Sequence, residues 1–352
     1  MNVKTELLSH SQYVKELRAL LPSEAFAPAP NKLSLMFAHA GIILCSYLTF
    51  AHSRQGLVWF ALSLIIGHSL GCLAFLTHEL SHGAILRSHR PRYWLEVFFW
   101  SLNIIPATVW RRVHNQTHHV SANTQGDPDR RFRQSEESFS IRWYTRLFQP
   151  HRGTIRWNPL VAFQFIPYIL GNTLAAFLPA SVQLRLLHAK PLYTAKQRCH
   201  VALELAVIIT VQVGIYHLVG NRLSAYFWAG PMPLLWMSTV VMTYVITNHF
   251  LDPLGDISDP LSASTSVVVW PGFDRLHSNF SYHTEHHLFP SMNSDFYPLV
   301  SDLLQKRHAT RYHRVSLGYA WHRLWAGEAY AGEAGEPETS SVQRARGELS
   351  TR

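Results

Sequence analysis

Nine of the chain's 22 histidines fall into three tight clusters and one outlying position. The clusters are His78-Glu-Leu-Ser-His82, His114-Asn-Gln-Thr-His118-His119 and His283-Thr-Glu-His286-His287, and the outlier is His249, just past an apolar run. Imidazole is the commonest metal ligand among side chains. Residues three and four apart on a helix share a face, so His78 with His82, His114 with His118, and His283 with His286 and His287 can each aim rings at one point. His119 lies five residues past His114 and points about 100° further round by the helical period. Rings spread over such an arc imply two metal ions, because one ion could not collect them all.

Distant clusters share a site only if the chain between them returns to one place, and the hydropathy says how. Leu33 to Phe50 and Leu57 to Leu76 contain no Asp, Glu, Lys or Arg. The second is long enough to cross a hydrocarbon core of about 30 Å, and the short break at His52 to Gln55 makes the pair a tight hairpin. Pro159 to Pro179, Val201 to Val219 (with Glu204) and Leu223 to Ile246 are further apolar candidates. If all five crossed, the first two clusters would face one compartment and His249 with the third cluster the other. Pro159 to Pro179 is therefore expected not to cross: Pro159, Pro167 and Pro179 interrupt its helical hydrogen bonds. Its flanks are basic on both sides, with Arg142, Arg146, Arg152 and Arg156 before it and Arg185, Lys190, Lys196 and Arg198 after.

Four spans then put Thr77 to His200, and everything after His249, on the cytoplasmic side. Arg87, Arg90, Arg92, Arg111, Arg112, Arg130, Arg131 and Arg133 fall in the first of these segments, against Arg54 and Arg222 in the outer loops. That asymmetry follows the positive-inside rule. The expected fold class is an all-α membrane protein: four transmembrane helices as two hairpins, with interfacial helices and a cytoplasmic His-rich cap. Trp94, Phe98, Phe99, Trp100 and Trp110, between the first two clusters, suit either the wall of a channel or interfacial anchors.

The formal net charge of +9 is mostly a topology signal. It is spread through membrane-flanking loops and not gathered on one module, which argues against nucleic-acid binding. Cys45, Cys72 and Cys199 are too few for a disulfide framework and read as small packing residues. The first thirty residues lack the apolar core of a signal peptide, since Lys4, Glu6, Lys15, Glu16 and Arg18 interrupt them. Leu7, Leu8, Val14, Leu17 and Leu21 form a helical stripe there, suggesting a surface-lying helix. The expected organisation is an N-terminal amphipathic segment over 1–32, a membrane domain over 33–325 and a disordered tail over 326–352. No solenoid-type repeat is present.

Outside the nine, His10, His52, His188, His200, His217, His308, His313 and His322 lack ligand spacing and read as interfacial rings. His39 and His68 also lack it but fall within spans, where polar side chains are costly and often functional. His277 is near enough to the third cluster to support its rings. Glu79, Asp127, Asp129, Asn248, Asp252, Asn279 and Glu285 sit off ligand positions and read as groups that orient the imidazoles by hydrogen bonding to their other nitrogen. A rival reading takes His78-Glu79-Leu-Ser-His82 as the H-E-x-x-H motif of zinc proteolysis, with Glu79 as general base. It leaves seven well-spaced histidines unexplained, and one tetrahedral zinc takes only four ligands. A metal store or transporter is the non-enzymatic alternative.

The three clusters in this order resemble the histidine boxes of the integral-membrane fatty acid desaturases and their hydroxylase relatives. That family's pattern is H-x3-4-H, H-x2-3-H-H and H/Q-x2-3-H-H, the first box just after a transmembrane hairpin and a second hairpin between boxes two and three. The surroundings Asp127-Pro-Asp-Arg130 and Asn279-Phe-Ser-Tyr-His-Thr-Glu-His-His-Leu-Phe-Pro290 look like the family's too, and the resemblance runs from about Leu33 to Trp325. It implies a non-haem di-iron centre, dioxygen as co-substrate, two electrons per turnover and a fatty acyl chain that is lipid-, carrier- or CoA-linked or a free acid. A further histidine after the fourth span completes the family's ligand set, and His249 matches it. Acyl-CoA relatives carry an asparagine one turn earlier to hold a metal-bound water; Val245 stands there, with Asn248 adjacent to the histidine.

Attack on an unactivated methylene needs an oxidant that no side chain supplies, which fits oxygen activated at reduced iron. The chain has no His-Pro-Gly-Gly haem signature and no cysteine cluster, so a separate ferredoxin-, rubredoxin- or haem-protein-like donor is implied. The arginines at 111, 112, 130, 131 and 133 are a candidate docking face for an acidic donor. Double-bond formation is the first expectation. Terminal-alkene formation and hydroxylation are the same-scaffold alternatives.

Overall fold

The computed structural model describes residues 9–124, 126–129, 147–148, 158–179, 181–182, 193–252, 255 and 259–326. The expected disordered tail, apart from Ala326, and the arginines at 130, 131 and 133 lie outside the described residues. The chain is helical, with one pair of short strands among the described residues. Helix α1 is His10–Arg18, α2 Lys32–His52, α3 Gly56–His82 and α4 His89–Leu102. Helix α5 covers residues 107–121 and contains a π-helical stretch, Arg111–His118. Then come α6 (Phe165–Ala175), α7 (Ala195–Leu218), α8 (Leu223–Ala229) and α9 (Pro231–His249). The C-terminal cap holds β1 (Ser266–Val268), α10 (Pro271–Leu276), α11 (His283–Leu288), α12 (Tyr297–Arg307), β2 (Arg314–Ser316) and α13 (Leu317–Ala326). The strands pair in parallel, Val267 opposite Val315.

Four stretches are long and apolar enough to cross a membrane: Lys32–His52, Gly56–His82, Ala195–Leu218 and Leu223–His249, the last being α8 and α9 together. Helix α6, inside the Pro159 to Pro179 segment, has 11 residues, about 16 Å at 1.5 Å per residue. That is about half a hydrocarbon core.

Close approach of α3 and α9 sets the bundle's centre. A Cβ on Gly71 would lie 2.9 Å from Val240 Cγ1, and one on Gly67 2.9 Å from the Pro233 carbonyl. Two small residues four apart let membrane helices come this near. Gly83, at φ 81, then ends α3 directly after His82 in a left-handed conformation suited to glycine. At the other end of the bundle, Arg222 donates to the carbonyls of Phe50 (2.6 Å) and Ser53 (3.3 Å), tying the two hairpin turns together.

The charges inside the spans are structural. Glu204, buried in α7, accepts from Tyr93 Oη (2.8 Å) and from Thr108 N (2.9 Å) and Oγ1 (2.7 Å), which fastens α4 and α5 to the third span. Glu79 on α3 is held by Lys32 Nζ at 3.0 Å, by Ser294 Oγ at 2.7 Å and by Ser278, so the ends of both first-hairpin helices are knotted to the cap.

Helix α1 carries an apolar face that packs on the cap, the rest of the helix being mostly exposed or half-buried. Tyr13 and Leu17 are fully buried and join Leu288, Phe289, Met292 and Tyr297 in one apolar cluster.

Lys32 and Glu79 are both nearly excluded from solvent. Removing one member of such a buried pair costs about 3–5 kcal/mol. Lys32→Met is therefore expected to lower the thermal unfolding temperature of the detergent-solubilised protein, with part of the loss recovered in Lys32→Met/Glu79→Gln. An unchanged unfolding temperature in the single variant would contradict the structural role assigned to this pair.

Candidate metal centre

All nine clustered histidines come together at the ends of α3 and α9, against α5 and α11. They form two groups of candidate donors: His78, His82, His114, His119 and His286 in one, and His118, His249, His283 and His287 in the other. Within the first group, Nε2 of His78 lies 2.8 Å from Nε2 of His114, which lies 3.2 Å from Nε2 of His119, itself 3.1 Å from Nε2 of His286. In the second, Nε2 of His283 lies 2.7 Å from Nε2 of His249 and 3.2 Å from Nε2 of His287.

The donor chemistry fits metal ions. A neutral imidazole has one N–H, and where three Nε2 atoms converge, lone pairs face lone pairs unless a cation sits among them. Nitrogens bound about 2.0–2.1 Å from one ion lie roughly 3 Å apart, which is the spacing seen.

The two groups do not divide by box. The π-helical stretch adds a residue per turn, so the i→i+5 pair His114 and His119 meets in one group, and His118 is delivered to the other. Simple α-helical spacing instead pairs His114 with His118. The short α11 divides likewise, His286 going one way and His283 with His287 the other.

Burial, and then repulsion among neighbouring rings, hold His114, His119, His283, His286 and His287 well below the ordinary imidazole range. These rings are neutral donors at physiological pH. His118 is the exception. Burial opposes a charge on it, but Asp127 and Asp129 outweigh that and raise it to about 9. Its Nδ1 lies 2.8 Å from Asp127 Oδ1, while Nε2 is buried and without a partner. That is the arrangement of a carboxylate fixing the tautomer of a ligating ring.

The other orienting groups expected from the sequence separate into two sets. Asp129 lies 3.4 Å from His118 Nδ1 and 3.6 Å from His114 Nδ1. Glu79 is taken up by Lys32, Ser278 and Ser294, Asp252 by His313 (2.8 Å) and Thr265 (2.7 Å), and Glu285 by Ser266 (2.6 Å) and Tyr312. Asn279 donates to the Ser294 carbonyl at 3.1 Å. These contacts tie the four residues to the cap. Asn248 is fully buried with both amide atoms unpartnered, beside His249.

Two orienting contacts had no sequence signal: the Ala263 carbonyl, 3.3 Å from His249 Nδ1, and Tyr297 Oη, 3.2 Å from His286 Nδ1. His277 joins neither group. His10, set aside in the sequence, places Nε2 3.2 Å from the His287 carbonyl.

A narrow pocket opens beside both groups, with His78, His114, His249 and His283 on one wall. Ala74, Phe75, Trp100, Trp110, Val241 and Met242 make much of the rest apolar. Trp100 and Trp110 are thus wall residues, whereas Trp94 and Phe98 are exposed and Phe99 packs edge-on to Phe37. Gln164 and Asp129 are the polar contributors, the latter accepting from Tyr168. The occupied Glu79 carboxylate leaves the H-E-x-x-H reading without a base at the donors.

The family model described as fatty acid desaturase matches residues 56–319, more than half of the chain. No curated protein matches it.

Asp127→Asn keeps the size of the side chain but removes the charge facing His118. Loss of such an orienting partner typically weakens metal binding 10–100-fold. The purified variant is expected to lose metal to a competing chelator at about that lower chelator concentration. Equal retention in variant and parent would remove Asp127 from this role.

Proposed function

The chain belongs to the fatty acid desaturase family, and we propose that it is a dioxygen-dependent, non-haem di-iron oxidoreductase that introduces a C=C double bond into a fatty acyl chain. The observation that carries the reading is the cavity that is apolar on most sides and lined by imidazoles of both donor groups on the remaining one. An alkyl chain gains from such a wall by burial, about 25 cal/mol per Å² of apolar surface. A polar substrate would lose hydration there.

His78, His82, His114, His119 and His286 would hold one iron, and His118, His249, His283 and His287 the other. Reduced iron bound there would supply oxygen activation, which side chains cannot. Overall, dioxygen takes two hydrogens from adjacent carbons and two electrons and two protons from outside, leaving as two waters. The chain's own part is positional. Trp100, Trp110 and Phe75 press an alkyl chain against the donor wall, and the cavity's apolar lining keeps bulk water from the reacting carbons. Asp127 holds His118 in the tautomer that offers Nε2. The donors lie at the span ends that carry most of the loop arginines, which supports a cytoplasmic site.

Electrons reach the site from a separate donor of the ferredoxin, rubredoxin or small haem-protein kind. Arg111 pairs with Glu96 at 2.6 Å and Arg112 donates to Gln116 at 2.7 Å; the positive charge offered to an acidic donor comes from these two with the arginines at 130, 131 and 133. Turnover with such a donor is expected to slow as salt is raised from low ionic strength, since exposed charges are screened beyond about 10 Å at 0.1 M. A flat salt profile would argue against electrostatic docking.

The decisive test is mass spectrometry of lipids and volatiles from cells expressing the chain, paired with metal analysis of the purified protein. About two irons per chain and a new double bond are expected, with His286→Ala abolishing the product. A terminal alkene or a hydroxylated chain would replace desaturation with one of its same-scaffold alternatives. Metal without oxygen consumption in the presence of a reductant would point to a store or transporter.

A further inference from the structure

We propose that His68, Cys72 and His277 form a second metal site, distinct from the nine-histidine centre, suited to a single monovalent copper ion. His68 and Cys72 are four apart on α3 and share a face. His277 follows α10, and the candidate donor atoms of the three residues all lie within 4.8 Å of one another. Nε2 of His277 is 3.2 Å from Nε2 of His68, and Cys72 Sγ is 3.9 Å from Nδ1 of His68. The first distance is again the roughly 3 Å spacing of two nitrogens on one ion. The second is at the outer limit for a hydrogen bond to sulfur, so a thiol–imidazole contact alone gives little reason to bury the pair.

The surroundings are built for a fixed ligand set. Cys72 is fully buried and His277 is 5% exposed. Tyr244 Oη sits 2.8 Å from His277 Nδ1, and Phe273 stacks on the ring at an interplanar angle of 11°, which anchors Nδ1 and sets the plane of the ring. Burial, helped by His68 and His39, lowers His277 to about 4, so the ring is neutral. On α2, His39 Nδ1 is buried and unpartnered.

Depth adds to the argument. His39 is seven residues along α2 from Lys32, and His68 is eleven along α3 from Glu79. At about 1.5 Å per residue the cluster lies roughly 10–16 Å inward from that ion pair. Polar side chains at such depth are costly, and three gathered there need a compensating partner. Next to it, α10 exposes Trp270, Phe273 and Leu276, an apolar set suited to lipid, which carries the cap chain inward to deliver His277. Phe75 and Phe280, stacked at 4.5 Å, stand between this cluster and the rings of His78 and His283. The two sites are therefore separate.

Two imidazoles and a thiolate are a soft donor set, which selects monovalent copper or zinc. Charge decides between them. A thiolate with a monovalent cation is neutral overall, whereas a divalent ion leaves a net positive charge in an apolar slab.

The test uses the full-length, iron-loaded protein, titrated anaerobically with copper(I) against a colorimetric copper(I) chelator. One tightly held copper beyond the iron is expected. Cys72→Ser and His68→Phe should each weaken it at least tenfold with iron per chain unchanged, and Cys72→Met, which keeps a sulfur donor, should retain more copper than Cys72→Ser. Copper-edge X-ray absorption of the parent protein should report a sulfur neighbour, a readout that does not depend on any variant folding. Absence of extra copper, nitrogen-only coordination, or binding indifferent to Cys72→Ser overturns the site; one zinc in its place, lost in Cys72→Ser, overturns the choice of metal. Iron content and lipid products are read separately, so this proposal and the desaturase reading can fail independently.

Discussion

Nine imidazoles with their nitrogens turned toward one another, largely out of contact with water, are the constraint to which the rest of this molecule answers. Each ring loses hydration on burial, and five of them are held neutral by that burial and by one another. Neutral rings cannot satisfy a converging set of lone pairs by hydrogen bonds alone. Cations among the donors would relieve this, and would couple metal binding to the packing of the four contributing segments. The bundle supplies the rigidity this needs: the glycines of α3 let α9 approach closely, and the Lys32–Glu79 knot fixes the span ends from which His78 and His82 project.

Electrostatics divides the centre. Most of the rings have no charge nearby to attract a proton, while His118 faces two carboxylates that lift it to about 9 and hold its Nδ1. A ring so held directs Nε2 inward with more electron density than its neighbours can. The two donor groups thus differ in number, five against four, and in the charge behind them. The first has Tyr297 in support; the second has Asp127, Asp129 and the Ala263 carbonyl.

Much of this was legible in the sequence, because the signals are additive along the chain. Apolar runs give the four spans, three of them without charge and the third with Glu204, and parity forces the Pro159 to Pro179 segment out of the count, in keeping with the short α6. Histidine spacing gives eight members of the two groups, and the ninth, His249, comes from its place after the fourth span and the family resemblance. What spacing could not give is their division, since that depends on a π-helical stretch whose hydrogen bonds are set by packing on neighbouring helices. Carboxylates near the boxes were equally ambiguous: Glu79 and Asp127 look alike in sequence, yet one meets a lysine from 47 residues earlier and the other an imidazole. Ala263 and Tyr297 carried no signal, one acting through its backbone and the other through a common hydroxyl.

The same reasoning accounts for where polar groups sit relative to the lipid. A polar residue in a span is tolerated when another element brings it a partner, as Tyr93 and Thr108 do for Glu204. His68 and Cys72 are read from sequence as an isolated polar ring and a packing thiol, because their partner lies 205 residues past Cys72 in the chain, at the tip of an apolar excursion. Once α10 is placed beside α3, the pair becomes a cluster with an orienting tyrosine and a stacking phenylalanine. The cavity between the donor wall and Trp100 shows the converse, with apolar side chains lining a space next to the most polar part of the fold. A site that must hold an alkyl chain against metal-bound chemistry needs both kinds of surface within a few ångströms. A membrane bundle capped by its own C-terminal segment brings them together by making the span ends polar and the space just beneath them apolar.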